Sequence, residues 1–226
     1  PWPIQLRRIG PFALQPNSTT RTFEYPWAFF ATPLTGGMRV LEIGGGLSGF
    51  QFVLDRLGCA VVNVDPGLEA KGVGWRCDSE SIAKLNRVFG TSIELRNTTI
   101  GSANLDSNSF DRVFSISVLE HLPEQDIREA LSFAYACLKP GGQFVMTVDL
   151  FLNVVPFASR ESNRYGRNAN VKSFLDSAPC ELVQGRTDEV YGFRDFEPDR
   201  ILGSLEAYFL GDYPALVQCL VLRKPM

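Results

Sequence analysis

One stretch of the sequence decides the fold: Val40-Leu41-Glu42-Ile43-Gly44-Gly45-Gly46-Leu47-Ser48-Gly49-Phe50. A short apolar run leads straight into glycines, and from Ser48 to Leu57 the apolar residues recur at helical spacing. Glycine lets the backbone turn sharply, and it lets a ligand approach without meeting a Cβ atom. The stretch therefore predicts a buried strand, a turn suited to ligand binding and an amphipathic helix.

Apolar runs and helical patterns alternate after this stretch. Repeated strand–helix–strand units predict a parallel, doubly wound α/β sheet. The predicted strands are 38–43, 59–64, 93–95, 110–117 and 144–148, with further strands at 181–184 and 216–222. The predicted helices are 48–57, 79–89, 123–138, 171–175 and 201–209, and Lys139-Pro140-Gly141-Gly142 is expected to end the third of them.

The composition divides the chain into an arm and a main domain. Residues 1–37 contain six prolines and an aromatic segment, so we interpret them as an N-terminal arm or lid with one short helix near 25–31. Residues 38–226 form the main domain. Its aromatic-rich stretch at about 186–214 is predicted to be an insertion between the last two strands.

Composition and charge exclude several classes of protein. The 226 residues carry 22 basic and 25 acidic side chains, a net charge of −3, which argues against binding to nucleic acid or to an anionic membrane. No apolar run approaches the ~20 residues of a membrane span. The five cysteines are scattered without a CxxC pair, so we expect buried thiols in a reducing, cytoplasmic compartment. The chain begins at Pro1, so we expect its natural N-terminus to lie further upstream, and residues 1–10 have no signal-peptide pattern.

The glycine turn by itself fits more than one ligand. Gly44-x-Gly46-x-x-Gly49 matches the dinucleotide pattern, and Asp65 ends the next strand 21 residues after Gly44, where a carboxylate can bind ribose hydroxyls. A turn of this kind can also bind nothing. Glu42 separates the ligands, because a carboxylate two residues before the glycines would repel a pyrophosphate, whereas it suits a cationic amino-acid group.

Four blocks of the sequence together resemble the class I S-adenosylmethionine-dependent methyltransferases, in particular their small type 11 group. The blocks are VLEIGGGLSGF (40–50), VVNVDPG (61–67), FDRVFSISVLEHLP (110–123) and LKPGGQFVMTV (138–148), within about half of the chain. The resemblance implies a Rossmann-like, three-layer α/β/α domain with a seven-stranded, mostly parallel sheet whose last strand is antiparallel. It also implies S-adenosylmethionine as the cofactor.

The resemblance assigns roles to positions along the four blocks. Residues of the glycine turn would hold the methionine part of the cofactor, Asp65 its ribose, and Pro66 and the turn at 101–103 its adenine. The residues implied are Glu42, Gly44, Gly45, Gly46, Ser48, Asp65, Pro66, Gly101, Ser102, Ala103, Ser117 and Val118. Two positions depart from the family pattern: Ser48 stands where a third glycine is usual, and Ser102 where many members have an aspartate.

Methyl transfer from a sulfonium is an in-line displacement, which chiefly needs positioning, and a base helps when the acceptor is a hydroxyl. His121, the only histidine, and Asp149 are the candidate bases because each follows a predicted strand. His121 could instead cap or pack at the next helix, and Asp149 could be a solvated loop acid. In the family that the chain resembles, the N-terminal region often folds over the cofactor. The resemblance therefore implies that Arg21 could bind the methionine carboxylate and that Tyr25 could cover the site, or both could only pack there. No metal-ligand spacing is present.

The sequence therefore predicts a cytoplasmic S-adenosylmethionine-dependent methyltransferase of small molecules, with a sugar or secondary-metabolite hydroxyl as the favoured acceptor. Nucleic acid and membrane partners are not expected, and the oligomeric state is left open. Two alternatives remain. One is a nicotinamide-dependent oxidoreductase that uses the same glycine turn, and the other is a non-catalytic cofactor-binding module.

Overall fold

A seven-stranded sheet in the order β3-β2-β1-β4-β5-β7-β6 forms the centre of the molecule. The structure is a computed structural model that describes residues 7–14, 17–67 and 77–226. The strands are β1 (Arg39–Ile43), β2 (Ala60–Val64), β3 (Glu94–Arg96), β4 (Phe110–Ile116), β5 (Leu138–Phe151), β6 (Glu181–Gln184) and β7 (Ala215–Arg223). The helices are α1 (Thr19–Phe30), α2 (Gly49–Arg56), α3 (Ser79–Phe89), α4 (Glu124–Cys137), α5 (Val171–Ser177) and α6 (Pro198–Leu202).

The pairing of the strands confirms the predicted fold class. Strands β1 to β5 pair in parallel, whereas β7 runs antiparallel to both β5 and β6. The strand order reverses between β1 and β4. In open sheets of this type, ligands bind beyond the carboxyl ends of the strands at such a reversal. The topology therefore places the glycine turn, which follows β1, at the expected binding edge.

Two apolar clusters cover the two faces of the sheet and make the molecule three-layered. On one face Val40 of β1 packs with side chains of α1, α2 and α3, including Phe50 and Leu85. On the other face Leu41 packs with α4 and α5, including Leu131. Because neighbouring strand residues point to opposite faces, Glu42 lies on the face of α1 and α2.

Local signals explain where several helices begin and end. Asp78 caps α3 by accepting a hydrogen bond from the backbone N–H of Ser81, and Gly90 ends this helix with a φ of 67°. Acidic residues Glu124 and Asp126 occupy the first turn of α4, at the positive end of the helix dipole. These boundaries agree with the sequence-based expectation.

Three predicted boundaries were wrong. The segment 139–142 does not separate a helix from a strand, because α4 ends at Cys137 and β5 begins at once with Leu138. The predicted helix 201–209 is instead α6, which stops at Leu202, followed by a 3-10 turn at Leu205–Ala207. The arm helix begins at Thr19 because Ser18 caps it by accepting from the backbone N–H of Arg21.

Other sequence expectations concern the cysteines and membrane spans. All five cysteines have free thiols, and Cys59, Cys77 and Cys137 are buried. Among the helices of the described residues, none is both long enough and apolar enough to cross a membrane. Between β6 and β7 lie α6 and irregular chain, at the place of the predicted insertion, and α1 packs against the sheet. The division into arm, main domain and insertion stays a prediction.

Candidate cofactor and active site

The turn after β1 has a backbone that favours glycine at several positions. Gly44 and Gly46 have φ angles of 67° and 54°, in the left-handed region that residues with a Cβ atom avoid. At Gly45, a Cβ atom would lie 2.6 Å from Cδ of Glu42 and 2.9 Å from Oδ1 of Asn63. The turn is therefore packed directly against polar side chains of β1 and β2.

Glu42 lies on β1 against this turn and is 2% exposed. Its Oε1 accepts a hydrogen bond from Oγ of Ser48 at 3.0 Å. Its Oε2 has no hydrogen-bond partner among the described residues. Burial raises the pKa of Glu42 to about 7, although the bond from Ser48 opposes this change. A buried carboxylate oxygen without a donor is costly, so this atom is suited to a donor that a ligand brings.

Asp65 follows β2 and holds two backbone turns together. Its Oδ2 accepts from the N–H of Gly46 at 2.8 Å, and its Oδ1 accepts from the N–H of Gly67 at 2.7 Å. The side chain thus lies beside the glycine turn. Pro66 follows and is half-buried. Residues 68–76 lie outside the described part of the chain.

The carbonyl oxygen of Gly46 accepts three hydrogen bonds that were not predicted from the sequence. It accepts from Nδ2 of Asn63 at 2.9 Å, from Nε2 of Gln51 at 3.0 Å and from Sγ of Cys77 at 3.2 Å. Asn63 and Gln51 are fully buried. The signal for Asn63 was available, because it is an amide inside an otherwise apolar strand. These contacts hold the backbone of the glycine turn against β2 and α2.

The predicted adenine-side turn is a 3-10 helix at Ile100–Ser102. Gly101 and Ser102 are exposed, whereas Ala103 is buried. The hydroxyl of Thr99 donates to Oγ of Ser102 at 3.4 Å. Asn97, at the end of β3, donates from Nδ2 to the carbonyl oxygen of Asp65 at 2.8 Å and so ties the start of this segment to the ribose side.

Ser117 and Val118 follow β4, and Val118 lies against the glycine turn. Ser117 has a φ of 47°, a left-handed conformation that costs a non-glycine residue roughly 1–3 kcal/mol and is typical of functional sites. A Cβ atom at Gly44 would lie 2.7 Å from Cγ2 of Val118. The ends of β1 and β4 are therefore in close contact.

The arm helix α1 brings Arg21 to the end of β4. Its Nη2 donates to the carbonyl oxygen of Ser117 at 3.2 Å, and its Nη1 forms an ion pair of 3.0 Å with Oε2 of Glu24. The ring of Tyr25 stacks on Phe50 of α2, with 5.8 Å between the ring centroids. Arg21 thus reaches the end of β4, while Tyr25 packs the arm against the domain.

Buried carboxylates surround the end of β5. Asp149 is 2% exposed, so the alternative of a solvated loop acid is wrong. Its Oδ2 accepts from the hydroxyl of Tyr213 at 2.5 Å, and its N–H donates to Oε1 of Glu120 at 3.2 Å. Oε2 of Glu120 has no partner among the described residues. Burial, together with repulsion from neighbouring carboxylates, raises the pKa of Asp149 and the pKa of Glu120.

The other candidate base, His121, has a different environment. It ends a 3-10 turn at Leu119–His121, and the residue as a whole is exposed. Its Nδ1 lies 2.5 Å from the carbonyl oxygen of Tyr165. A protonated Nδ1 that donates to this carbonyl would leave Nε2 as the basic nitrogen.

The described residues include no cluster of three or more His, Cys, Asp or Glu side chains that could hold a metal ion.

A comparison with known families finds one matching domain. A family model described as a methyltransferase domain matches residues 41–146, which run from β1 into β5 and include the glycine turn, Asp65 and Ser117. Over this stretch the chain is similar to the class I S-adenosylmethionine-dependent methyltransferases.

Curated methyltransferases match over part of their length. The chain is 32% identical over 123 residues to the ubiquinone biosynthesis O-methyltransferase of Methylocella silvestris, covering 54% of this chain and 44% of that protein. It is 26% identical over 167 residues to the same enzyme of Hahella chejuensis, covering 66% of each. The matches to these two relatives therefore span less than two thirds of their length.

Solved structures share the fold of this chain. A [4+2]-cyclase has a TM-score of 0.65 and 15% identity, and the match covers 99% of this chain and 92% of the cyclase. At this identity the likeness shows the fold alone. The reaction has to be argued from the site, because one fold can carry different chemistry.

Several residues of the site were missed from the sequence, namely Glu24, Gln51, Asn63, Glu120, Thr147 and Tyr213. Most are single polar residues in apolar or aromatic surroundings. Glu24, for example, is the only acid between Phe23 and Phe30, and it is fully buried in the structure. Such a residue signals a buried partner, but the sequence does not identify that partner.

Proposed function

We propose that this methyltransferase binds S-adenosylmethionine and transfers its methyl group to a small molecule. The observation that carries the proposal is the buried, unpartnered Oε2 of Glu42 beside a turn that admits only glycine at Gly45. A ligand with an ammonium group would supply the missing donor. The glycine turn leaves backbone N–H and C=O groups accessible to the rest of an amino-acid moiety. A pyrophosphate, by contrast, would be repelled by Glu42, which disfavours a nicotinamide dinucleotide.

The chain's own residues divide the work of binding in this proposal. Glu42 holds the ammonium group and Arg21 the carboxylate of the methionine part, against the backbone of Ser117 and Val118. Asp65 accepts hydrogen bonds from the ribose hydroxyls. Pro66 and the turn at 101–103 border the adenine, and Tyr25 holds the arm over the site. The remaining turn residues, Gly44, Gly45, Gly46 and Ser48, form the cradle.

When bound, the cofactor supplies a methyl group on an activated sulfonium, so the protein mainly positions the acceptor. We assign a hydroxyl acceptor on a small molecule such as a sugar or secondary metabolite. The names of the two O-methyltransferase relatives support an oxygen acceptor. Asp149 is proposed to take the acceptor's proton, because it is buried beside Ser117 and its raised pKa makes its ionised form a stronger base. His121 is the second candidate for this step.

The free thiols support a reducing, cytoplasmic location, and the net charge of −3 disfavours nucleic acid as a partner. Both points remain parts of the proposal.

Calorimetric titration with S-adenosylhomocysteine, with NADH in parallel, tests the cofactor assignment. Micromolar binding of S-adenosylhomocysteine without binding of NADH supports it, and binding of NADH alone contradicts it. Transfer of labelled methyl groups from S-adenosylmethionine to a panel of hydroxylated small molecules then tests the reaction. Cofactor binding without transfer to any acceptor would instead favour a non-catalytic module.

A further inference from the structure

The arm carries a buried carboxylate that contacts two candidate cofactor-binding residues at once. Glu24 is fully buried. Its Oε1 accepts from Oγ of Ser117 at 2.6 Å and from Oγ1 of Thr147 at 2.5 Å, and its Oε2 pairs with Nη1 of Arg21 at 3.0 Å. One side chain of α1 thus connects the ends of β4 and β5 with the guanidinium group of the arm.

All three polar groups of Ser117 belong to the same network. Its hydroxyl donates to Glu24 directly. Its N–H donates to the carbonyl oxygen of Thr147 at 3.0 Å and to Oγ1 of the same residue at 3.1 Å, and the hydroxyl of Thr147 in turn donates to Glu24. Its carbonyl oxygen accepts from Arg21, which Glu24 holds. Because Ser117 has a left-handed φ of 47°, it keeps this conformation only where its surroundings enforce it.

We propose that Glu24 is a positioning residue for the methionine end of the cofactor site. It orients the guanidinium of Arg21 toward the ligand's carboxylate, and it holds the strained backbone of Ser117 against the methionine moiety. The inference rests on the proposed function, since it names which residue organises that site. Glu24 itself touches neither the cofactor nor the acceptor in this proposal.

Two probes separate positioning from a purely structural role. S-adenosylhomocysteine contains the methionine part, whereas 5′-methylthioadenosine has the same adenosine and lacks the amino acid. In Glu24→Gln the amide retains an acceptor for Ser117 and Thr147 but places an NH₂ group against Arg21. We expect this variant to bind S-adenosylhomocysteine about tenfold more weakly, because one charge-assisted contact is lost, and to bind 5′-methylthioadenosine like the wild type.

The matched control is Thr22→Ala on the same helix, because the hydroxyl of Thr22 donates to the carbonyl of Thr19 within that helix. This variant should bind both probes like the wild type. Glu24→Ala removes all three contacts and should weaken binding of S-adenosylhomocysteine further. Should it fail to fold, Glu24→Gln still carries the test.

A double-variant comparison tests whether Glu24 acts on cofactor binding through Ser117. In a Ser117→Gly background, which removes the hydroxyl and the cost of the left-handed backbone, Glu24→Gln should weaken binding by less than it does in the wild type, because neighbouring contacts are not additive. A full, additive loss would overturn the part of the inference that concerns Ser117.

The remaining outcomes are also decisive. Equal weakening of both probes in Glu24→Gln would show a structural role and overturn the inference. Unchanged or tighter binding of S-adenosylhomocysteine would overturn it as well. Failure of the wild-type chain to bind S-adenosylhomocysteine would contradict the proposed function itself and the inference with it, whereas binding by the wild type with unaffected variants contradicts the inference alone.

Discussion

Single carboxylates determine much of this site, and their surroundings give them different tasks. Glu42 and Asp65 lie on either side of the same glycine turn. Asp65 has a backbone donor for each of its oxygens, whereas Glu42 keeps one oxygen without a partner among the described residues. The first arrangement suits a carboxylate that shapes the turn. The second suits a carboxylate whose unpartnered oxygen binds a positively charged donor on a ligand.

Asp65→Ala tests the residue that is proposed to bind the ribose. We expect binding of S-adenosylhomocysteine to weaken more than tenfold, because hydrogen bonds to a charged group contribute about 1.5–3 kcal/mol. Titration calorimetry measures the change. Asp55→Ala is the matched control, since Asp55 is an acid whose carboxylate accepts from Ser92, outside the proposed site. A folded Asp65→Ala variant with unchanged affinity would rule out the ribose assignment.

Glu42 predicts a pH dependence of cofactor binding. Burial raises its pKa to about 7, and only the ionised carboxylate attracts an ammonium group. The affinity for S-adenosylhomocysteine should therefore rise as the pH increases from 6 to 8. In Glu42→Gln the affinity should be lower and should depend less on pH. Parallel titrations of the two proteins isolate the contribution of Glu42, and identical pH profiles would contradict it.

At the scale of elements, the site is assembled where β1, β2, β4 and β5 end and where α1 crosses them. The turn between β1 and α2 depends on close approach rather than on glycine flexibility alone. At Gly45, for example, the side chains of Glu42 and Asn63 occupy the space that a Cβ atom would need. The arm helix contributes Arg21 and Glu24 on one turn of helix, so both point to the end of β4.

Gly45→Ala should disrupt the turn. Its Cβ atom would lie 2.6 Å from Cδ of Glu42, so Glu42 or the turn has to move. We expect loss of measurable binding of S-adenosylhomocysteine in a protein that still unfolds cooperatively. Gly36→Ala is the comparison, because its Cβ atom would meet nothing closer than a backbone oxygen at 3.3 Å. Normal binding by Gly45→Ala would show that the cradle is not where the ligand sits.

At the scale of the whole molecule, the buried acids link folding to pH. Burial raises the pKa of Glu42, the pKa of Glu120 and the pKa of Asp149 above their ordinary values. The folded protein therefore keeps protons that the unfolded chain releases above about pH 4. The stability that these protons provide is complete below the unfolded pKa values and is lost as the pH rises through the raised ones.

The free energy of unfolding without ligand should therefore fall between about pH 5 and pH 8. The slope should approach about 1.4 kcal/mol per pH unit for each extra proton that the folded state holds. Urea denaturation across this range measures it. Asp149→Asn should reduce the slope, while Asp188→Asn, at a half-buried acid whose pKa is lowered by its hydrogen bond from Arg186, should not. A stability that rises over this range would contradict the burial of protonated acids.

The sequence by itself determined the fold class and the place of the glycine turn. Both depend on local patterns: apolar runs of strand length, helical spacing in α2 and α4, and glycines that follow β1. Asp65 could also be placed, because the carboxyl ends of parallel strands meet at one edge of the sheet. The start of β5 at Leu138 and the early end of α6 could not be predicted from the sequence, because strand pairing and packing override local preference there.

Only the tertiary structure decided which distant side chains share the site. Glu24 meets Ser117 across 93 positions of the sequence, and Tyr213 meets Asp149 across 64. No local pattern encodes these pairs, because they depend on how α1 and the chain before β7 pack over the sheet. Burial likewise decided that Asp149 is not a solvated acid, since the removal of water depends on neighbours that are far apart along the chain.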